Sequence, residues 1–450
     1  MLMFALFLMF LSIILPFGLI LYARLIRPHR LSKKASICAC LIIVLLLAAI
    51  SLAMPISLYT ARDPQLYQSY HVETWLPWLY FLMTFICLLL MLVILRDIGW
   101  SLSSLYAWIR SKKAPESAPQ TAVKTAKSNA QAQTGDAVTA GDHARSGNEA
   151  PDAESPTVSP SKQAEENDAA LLSRREFLKR ASTAATIGGA VALTPAAVMY
   201  ATKGRKIRHF DLYHARLPQS LDGLRIAHLS DIHVGNTIGR EDIEEIVAQT
   251  NALEADLIVI TGDMVDGLPE YIGSWLDPMK DFKSRYGTYF VTGNHDHLWN
   301  ARAWCDLISG LGIHVLDNAH ELIEINGTPL AVAGAIDAIG DRKNRKWKSD
   351  PEKALANIPP EIFRIMLVHQ PRSVDRSFAA GADLVLLGHT HGGQCWPLNL
   401  LISAMHKYSS GLYEVDQKLA FVSCGTGYWG PPLRIGVPAE IDLLTLHPKA

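Results

Sequence analysis

Five short polar clusters in the second half of this chain constrain its fold most, because each of them follows an apolar run. The runs are rich in Val, Ile and Leu and span residues 224–229, 257–261, 289–292, 365–368 and 384–387. Short apolar runs bounded by Gly, Asp or Asn are typical of buried strands. The clusters that follow them are Asp231-Ile232-His233, Gly262-Asp263, Gly293-Asn294-His295-Asp296, His369 and Gly388-His389-Thr390-His391. Side chains at strand ends are held on rigid elements and still reach solvent, so the clusters predict one site.

The side chains in these clusters are those that bind metal ions. A single Asp-x-His pair is more often a solvated turn than a ligand pair, but five clusters in one segment indicate a metal site. The His-rich set favours a transition metal such as Mn, Fe, Zn or Co over Mg or Ca. Two divalent cations about 3.5–4 Å apart can hold the attacking and leaving oxygens of a displacement at phosphorus. Such a pair needs a carboxylate between the two ions, which screens one cation from the other.

The clusters resemble those of the calcineurin-like metallophosphoesterases in both order and type. The resemblance covers residues 223–441, essentially the whole C-terminal domain. Segments 224–231, 388–394 and 425–434 resemble a membrane-associated bacterial phosphodiesterase branch of the family, the YkuE/YaeI-like proteins. The resemblance implies a four-layer α/β/β/α sandwich with metals at the carboxyl ends of strands. Helical patterns at residues 240–253 and 299–311, alternating with the strands, independently predict an α/β domain.

The resemblance also implies which residues hold the metals. The ligands expected for the first ion are Asp231, His233 and His391. Those expected for the second ion are Asn294, His369 and His389. Asp263 would bridge the two ions, and the nucleophile would be a metal-bound hydroxide, because a divalent ion brings the pKa of bound water down to about 7.

Two further residues have catalytic roles implied by the resemblance. His295 would protonate the leaving oxygen or stabilise its charge, and Asp296 would orient the His295 ring. Arg434 and His406 are candidate substrate contacts, although an arginine here is equally consistent with a surface ion pair. Other histidines of this domain, such as His228, are expected in the core, in loops or behind the ligands.

The charge balance and the cysteines restrict the partners. The 450 residues carry a formal net charge of -1, which argues against a nucleic-acid surface. The six cysteines form no CxxC pair, so we expect free thiols.

Three apolar runs in the first hundred residues predict membrane helices within a transmembrane region at residues 1–110. They span residues 2–22, 37–59 and 75–95, each long enough to cross a bilayer. Basic residues cluster in the first loop and after the third run, and by the positive-inside rule both segments are cytoplasmic. They are Arg24, Arg27, Arg30, Lys33 and Lys34 in the loop, then Arg96, Arg110, Lys112 and Lys113.

Residues 111–170 are rich in Ala, Ser, Pro, Gln, Asp and Glu, which predicts a disordered cytoplasmic linker. The sequence Ser173-Arg174-Arg175-Glu176-Phe177-Leu178-Lys179 then resembles a twin-arginine export motif, and an uncharged stretch follows it. We expect residues 171–202 to form an uncleaved fourth anchor that engages the twin-arginine translocation machinery. Residues 203–450, the metallophosphoesterase domain, would then lie on the outer, periplasmic side of the cytoplasmic (inner) membrane.

One feature favours the opposite topology. Four basic residues follow the fourth apolar stretch directly, against the positive-inside rule. They are Lys203, Arg205, Lys206 and Arg208. Contact with anionic lipid headgroups is the alternative explanation of these charges.

Three functions are consistent with these features. The first is a dinuclear-metal phosphoesterase that hydrolyses phosphodiester or pyrophosphate bonds of an envelope substrate or a phosphorylated lipid. The second is a cytoplasmic-facing pyrophosphatase of a UDP-diacylglucosamine-type lipid precursor. The third, of a different class, is a membrane-anchored sensor or scaffold with a vestigial metal site.

Overall fold

The computed structural model describes residues 16, 18–29, 32–60, 72–113, 160–340 and 347–449. Most of the first predicted apolar run and residues 114–159 of the predicted linker lie outside the described residues. The chain divides into two compact units, Met1–Leu92 with Ile187–Ala450, and Val93–Thr186.

Within the residues that the structure describes, three long helices precede the first strand. They are α1 (Lys33–Thr60), α2 (Val72–Lys113) and α3 (Pro160–Lys203). Helix α3 begins ten residues before the predicted end of the linker, so residues 160–170 are helical, and the twin-arginine pair lies within the helix. Among the described residues, Thr74–Arg110 and Ser173–Lys203 are long and apolar enough to cross a membrane. The prediction of four separate membrane crossings stays a prediction.

Across the described residues 206–340 and 347–449, twelve strands are formed. They are β1 (Lys206–His214), β2 (Leu224–Leu229), β3 (Leu257–Thr261), β4 (Thr288–Val291), β5 (His314–Val315), β6 (Ala319–Ile325), β7 (Thr328–Gly334), β8 (Phe363–Leu367), β9 (Leu384–Leu387), β10 (Gly411–Val415), β11 (Lys418–Val422) and β12 (Glu440–Pro448). All five predicted strands are present, with ends within two residues of the prediction.

The strands form two six-stranded sheets. The first has the order β1-β12-β2-β3-β4-β5 and the second the order β10-β11-β9-β8-β7-β6. Strands β2 to β5 are parallel to one another, and so are β11, β9, β8 and β7. Each parallel set therefore presents its carboxyl ends along one sheet edge. The prediction of a mixed α/β fold with two sheets is confirmed.

Short helices connect the strands. They are α4 (Arg240–Asn251), α5 (Pro269–Ile272), α6 (Asn294–Leu298), α7 (Ala301–Gly310), α8 (Pro351–Leu355), α9 (Val374–Ala379) and α10 (Leu398–Met405). Helices α4 and α7 match the two helical patterns that the sequence predicted.

The central strands are buried on both faces, which explains why they are uniformly apolar. In β3, Leu257 and Val259 pack in a core shared by both sheets, which includes Ile365 and Leu386 of the second sheet. The alternate residues of β3 face helices α4 and α7 instead, in a second core. Strands β8 and β9 behave alike, with their outward residues packed against α8 and α9. This packing holds the strand ends, and the loops that follow them, on a rigid base.

Candidate metal centre

The five predicted clusters come together at the carboxyl ends of the two parallel strand sets. Asp231 follows β2, Asp263 follows β3 and Asn294 begins helix α6 after β4. His369 follows β8 and His389 follows β9 in the second sheet. The site is therefore shared by both sheets.

The first group of side chains consists of Asp231, His233 and His391, all buried, with ligand atoms within 4.8 Å of one another. Nε2 of His391 lies 3.1 Å from Nε2 of His233 and 3.4 Å from an Asp231 carboxylate oxygen. Burial lowers the pKa of His391 well below its ordinary value, so the ring is neutral at pH 7. The Nε2 atoms of His233 and His391 face each other beside a carboxylate, and nitrogen and oxygen donors gathered in this way suit a cation.

The second group consists of Asp263, His369 and His389, again within 4.8 Å of one another. Nδ1 of His369 donates to the Thr261 carbonyl over 2.7 Å, which leaves Nε2 facing the site. That Nε2 atom lies 3.1 Å from Asp263 Oδ2, 3.2 Å from Asn294 Oδ1 and 3.2 Å from Nδ1 of His389.

Asp263 lies between the two groups. Its Oδ2 atom is also 3.9 Å from Nε2 of His233, a member of the first group. Burial would raise the pKa of Asp263, but the His369 ring beside it holds that pKa far below its usual range. A buried, ionised carboxylate in contact with both groups is placed as a bridge would be.

The backbone at the site adopts an uncommon conformation. Five of the predicted ligands have positive φ angles between 50° and 74°: Asp231, His233, Asp263, His389 and His391. Residues other than glycine rarely adopt this left-handed region, and such positions concentrate at functional sites. The turns aim side chains that a regular strand end would direct elsewhere.

Close backbone packing at two glycines makes these turns possible. A Cβ at Gly388 would overlap the Ser230 hydroxyl and the Asp231 carboxylate, and one at Gly293 would overlap the Asp263 side chain. The loops after β2 and β9 therefore touch only because residue 388 has no side chain. A hydrogen bond also joins these two loops, because the backbone N–H of His389 donates to Asp231 Oδ2 over 2.9 Å.

His295 is half-buried at the edge of the site, and its partner is Asp266. Its Nδ1 atom contacts Asp266 Oδ1, while the other oxygen of Asp266 lies 3.1 Å from Nδ1 of His233. Burial would lower the pKa of His295, but the Asp266 carboxylate outweighs it and raises that pKa to about 9. Asp266 thus orients one expected ligand and the expected acid.

The predicted pairing of Asp296 with His295 is not formed. Asp296 is completely buried, and its carboxylate accepts hydrogen bonds from the backbone N–H groups of Gly293, Met264 and Val265, over 2.7, 3.0 and 3.2 Å. The reason is geometric, because residue 296 is the third residue of helix α6 and its side chain turns back to the helix start. Asp296 therefore joins the loops after β3 and β4.

Comparisons with known proteins agree with this geometry. A model of the calcineurin-like phosphoesterase family matches residues 224–393. A transmembrane protein with metallophosphoesterase domain from Danio rerio is 39% identical over 240 residues, which are 51% of this chain and 55% of that protein. The chain thus spans little more than half the length of that relative.

Two bacterial relatives are matched over nearly their whole length. An uncharacterized metallophosphoesterase from Aquifex aeolicus is 30% identical over 247 residues, 54% of this chain and 92% of that protein. The chain belongs to the calcineurin-like metallophosphoesterase family. The uncharacterized metallophosphoesterase YkuE of Bacillus subtilis is 28% identical over 292 residues, 61% of this chain and 98% of that protein.

Metallophosphoesterases use divalent metals, and the donors gathered here fit them. Each group combines a carboxylate with imidazoles, and the Nε2 atoms of His233 and His391 lie 3.1 Å apart beside the Asp231 carboxylate. Asn294 adds a neutral oxygen to the second group. The residues expected to hold the two ions are therefore placed together as the family pattern implies.

Arg434, the predicted substrate contact, is fully buried. The side chain is 0% exposed and donates to the carbonyls of Cys424, Gly427, Val437 and Pro438. Its Nη2 atom also lies 3.2 Å from Nδ1 of His391, so the arginine supports a ligand loop of the metallophosphoesterase.

His406 and Cys395 lie on either side of helix α10. His406 follows the last residue of the helix, and its charge is one of the causes that lower the pKa of His389 to about 4, after burial and the neighbouring His369. Its contact with substrate stays a prediction. Cys395 is buried among Leu88, Ala197 and Leu433, so it belongs to an apolar cluster and to neither ligand group.

Sequence reasoning missed two acidic residues at this site. Asp266 follows the Gly-Asp cluster by three residues, a spacing that could have drawn attention to it. Asp337 is buried and accepts from Gln370 Nε2 over 3.0 Å, and the same amide nitrogen lies 3.2 Å from Asn294 Oδ1. Asp337 had no signal in the sequence, because it is far from every cluster along the chain.

Proposed function

We propose that this protein is a dinuclear-metal phosphoesterase that hydrolyses phosphodiester or pyrophosphate bonds of an envelope or membrane-associated substrate. The observation that carries the proposal is the position of Asp263. Its Oδ2 atom lies 3.1 Å from His369 of one ligand group and 3.9 Å from His233 of the other. One carboxylate between two sets of imidazole donors is what a pair of cations about 3.5–4 Å apart requires.

The residues of the site have two separate roles, metal binding by the ligand groups and proton donation by His295. Two divalent ions held by the ligand groups would activate a water and neutralise charge on the phosphate. His295 holds a proton at the edge of the site, and Asp266 fixes the ring through Nδ1, so the other ring nitrogen would donate to the leaving oxygen. Cations beside His295 would lower its pKa from about 9 toward neutrality, which suits an acid.

Membrane attachment motivates the choice of substrate. Two helices are long and apolar enough to cross a membrane, and the second of them runs to Lys203, three residues before strand β1. A site tethered this closely would reach the phosphates of lipids and of other envelope components. Export through Arg174 and Arg175 would place the domain on the outer side.

The basic residues after α3 bear on that topology. Lys203 lies 3.5 Å from Glu245, Arg205 lies 3.7 Å from the same glutamate and Arg208 lies 3.0 Å from Glu440. Each of these cations thus has a carboxylate of the folded domain as its partner. The charges have a role inside the domain, which weakens them as a signal for a cytoplasmic site and for the lipid-precursor pyrophosphatase. A vestigial scaffold is disfavoured because all seven expected ligands are present.

Hydrolysis by the purified full-length protein tests the proposal. Wild type in detergent should hydrolyse bis-p-nitrophenyl phosphate with Mn or Zn added and should lose the activity with EDTA. Asp263→Asn should abolish turnover and lower the metal content per chain, as measured by mass spectrometry of the bound metals, while circular dichroism shows a folded protein.

The matched control is Asp281→Asn, which changes an exposed aspartate outside the site and should preserve both activity and metal content. Turnover that persists in EDTA and in the Asp263→Asn variant would refute a metal-dependent site. An inactive wild type that binds metal, tested on mono- and diesters, would instead favour the scaffold.

A further inference from the structure

An exposed apolar surface borders the metal centre. Six side chains form it, and we call them the apolar rim: Trp396, Leu398, Leu400, Leu401, Met405 and Trp429. Each is between 48% and 66% exposed. Helix α10 supplies four of them and has neither a charged residue nor a buried one. An apolar helix that buries none of its residues within its own domain needs a partner, because water does not stabilise it.

The rim continues into the contact between the domain and the apolar helices. Cys395, which directly precedes Trp396, packs with Leu433 against Leu88 of helix α2 and Ala197 of helix α3. The Thr84 hydroxyl of α2 also donates to the Pro432 carbonyl over 3.5 Å. Thr84 and Leu88 both lie in the charge-free stretch of α2, residues 75–95. Because this stretch belongs to a helix long and apolar enough to cross a membrane, loops that contact it, and the rim beside them, would lie at the level of the bilayer.

The rim is also continuous with the residues of the site. A Cβ on Gly393 would stand 2.6 Å from the Asn399 Cα atom, so the first turn of α10 rests against the loop that carries His391. On the other side, the Gln394 side chain exchanges two hydrogen bonds with the Trp429 backbone, over 2.6 and 3.0 Å. The Trp429 ring centroid is 6.1 Å from that of His295. The rim therefore reaches both ligand and acid.

We propose that the apolar rim enters the lipid bilayer and admits the acyl chains of a phospholipid-like substrate, whose phosphate reaches the metal centre from the membrane surface. The two tryptophans of the rim suit the boundary between acyl chains and headgroups. The four α10 side chains of the rim would lie against the acyl chains of the lipids. The identity of the reacting phosphate rests on the proposed phosphoesterase function, but the entry of the rim into the bilayer does not.

Fluorescence quenching tests the membrane contact without any use of activity. Full-length protein is placed in nanodiscs whose phospholipids carry bromine on the acyl chains, and wild type is compared with the Trp396→Phe/Trp429→Phe variant. The two rim tryptophans should contribute a component that bromolipid quenches and aqueous iodide does not. Trp275→Phe, at a partly buried tryptophan that packs against the domain core, is the matched control and should remove no such component.

The contrary outcomes are distinct. If iodide quenches the fluorescence of the two rim tryptophans and bromolipid does not, the proposal is overturned, because the rim then faces water. A component that neither quencher reaches, together with a doubled mass in light scattering, would assign the rim to a second copy of the chain and would also overturn it.

A pair of substrates tests the acyl-chain step. Hexadecyl and methyl p-nitrophenyl phosphate share one leaving group, and in both a water oxygen bonds to phosphorus while the aryl P–O bond breaks and nitrophenol leaves. In the Leu400→Glu/Leu401→Glu variant, kcat/KM for the hexadecyl ester in nanodiscs should fall about 10-fold or more, because the local concentration of substrate is lost. The methyl ester should change by less than about 2-fold.

Leu322→Glu, at an exposed leucine of strand β6, is the control and should leave both esters unchanged. Equal losses on the two esters, or none on the hexadecyl ester, would overturn the acyl-chain step. A wild type that hydrolyses neither ester would refute the proposed phosphoesterase function, while the quenching still decides whether the rim enters the bilayer.

Discussion

His295 takes its orientation from Asp266 and not from the neighbouring Asp296. Adjacent residues on a helix point in different directions, so Asp296 turns to the start of α6 while His295 turns outward. Burial and the Asp263 carboxylate raise the pKa of Asp296 to about 7, against the pull of its backbone donors. The carboxylate that orients His295 is that of Asp266, which lies in the loop after β3, whereas His295 itself follows β4.

This assignment predicts a specific kinetic loss. Asp266→Asn should lower kcat by about 10²–10⁴-fold, the usual contribution of a positioned acid, because the ring of His295 loses its orienting carboxylate. The Asp266→Asn/His295→Gln double variant should be no slower than His295→Gln alone, since the two residues act as a unit. Steady-state rates on bis-p-nitrophenyl phosphate check both points.

Metal content is the control for this pair, because Asp266 also contacts the His233 ring. Losses that multiply in the double variant would contradict a shared role. A kcat loss in Asp296→Asn as large as in Asp266→Asn, without lower thermal stability, would restore the pairing that the sequence suggested.

The lowered pKa of His228 predicts how the free energy of unfolding depends on pH. Its ring is fully buried on β2, where burial lowers its pKa to about 3 from an ordinary value of 6.5. Between pH 6.5 and about pH 3, His228 is therefore protonated in the unfolded chain and neutral in the folded protein. The free energy of unfolding falls as the pH drops through this range. At pH 5 the loss relative to pH 7 should be about 2 kcal/mol from this one group.

Urea unfolding of the full-length protein in detergent measures the effect, with EDTA present so that metal release does not contribute. The His228→Gln variant has no such titration, so the difference in unfolding free energy between wild type and variant should shrink from pH 7 to pH 5. A difference that stays constant with pH would contradict the prediction.

At the scale of elements, the site depends on two loops that touch without an intervening side chain. Gly388 follows β9 in one sheet, and Asp231 follows β2 in the other. Since the two sheets are rigid layers packed through a common core, the loops have little freedom to separate. The distance between the sheets and the size of residue 388 together set the position of Asp231.

Gly388→Ala should therefore weaken metal binding about 10–100-fold, as loss of a supporting contact commonly does, because the new methyl group displaces the Asp231 carboxylate. Chelator competition measures the affinity. Gly310→Ala in helix α7, where an added Cβ meets nothing within 4 Å, is the matched control and should leave affinity unchanged. Equal affinities in wild type and Gly388→Ala would show that the loops separate freely.

The five strands that carry the site were predicted from their apolar runs, and the burial of the edge strands β1 and β10 explains why those two were not recognised. Strands β3 and β9 are buried at every position, so their sequences are continuous apolar runs. Strand β1 begins with four exposed residues and β10 alternates with none fully buried. Edge strands of this kind carry mixed side chains that no period distinguishes from a loop.

At the scale of the whole molecule, we predict that the C-terminal domain lies on the outer side of the membrane. Helix α3 carries Arg174 and Arg175 and ends three residues before β1, so the orientation of this one helix sets the side on which the domain lies. The ion pairs of Lys203 and Arg205 with Glu245 attach the helix end to the domain. The domain and the helix end are therefore expected on the same side.

A reporter active only outside the cytoplasm, fused after Ala450, should give a signal in intact cells. The signal should vanish when Arg174 and Arg175 are both changed to Lys, because twin-arginine export depends on that pair. Arg180→Lys, on the same helix, is the matched control and should keep the signal. No signal from the unchanged chain would place the site in the cytoplasm and favour the lipid-precursor pyrophosphatase.

The strands that carry the site, the candidate ligand side chains and the apolar helices can all be recognised from the order of residues alone. Each is a local feature, because a buried strand or a membrane helix needs a run of apolar residues and a metal needs particular donor atoms. The contact of Asp266 with His295, the burial of Arg434 and the position of the apolar rim beside the metal centre are seen only in the folded molecule. Those relations join residues far apart in the chain, and only packing brings them within contact distance.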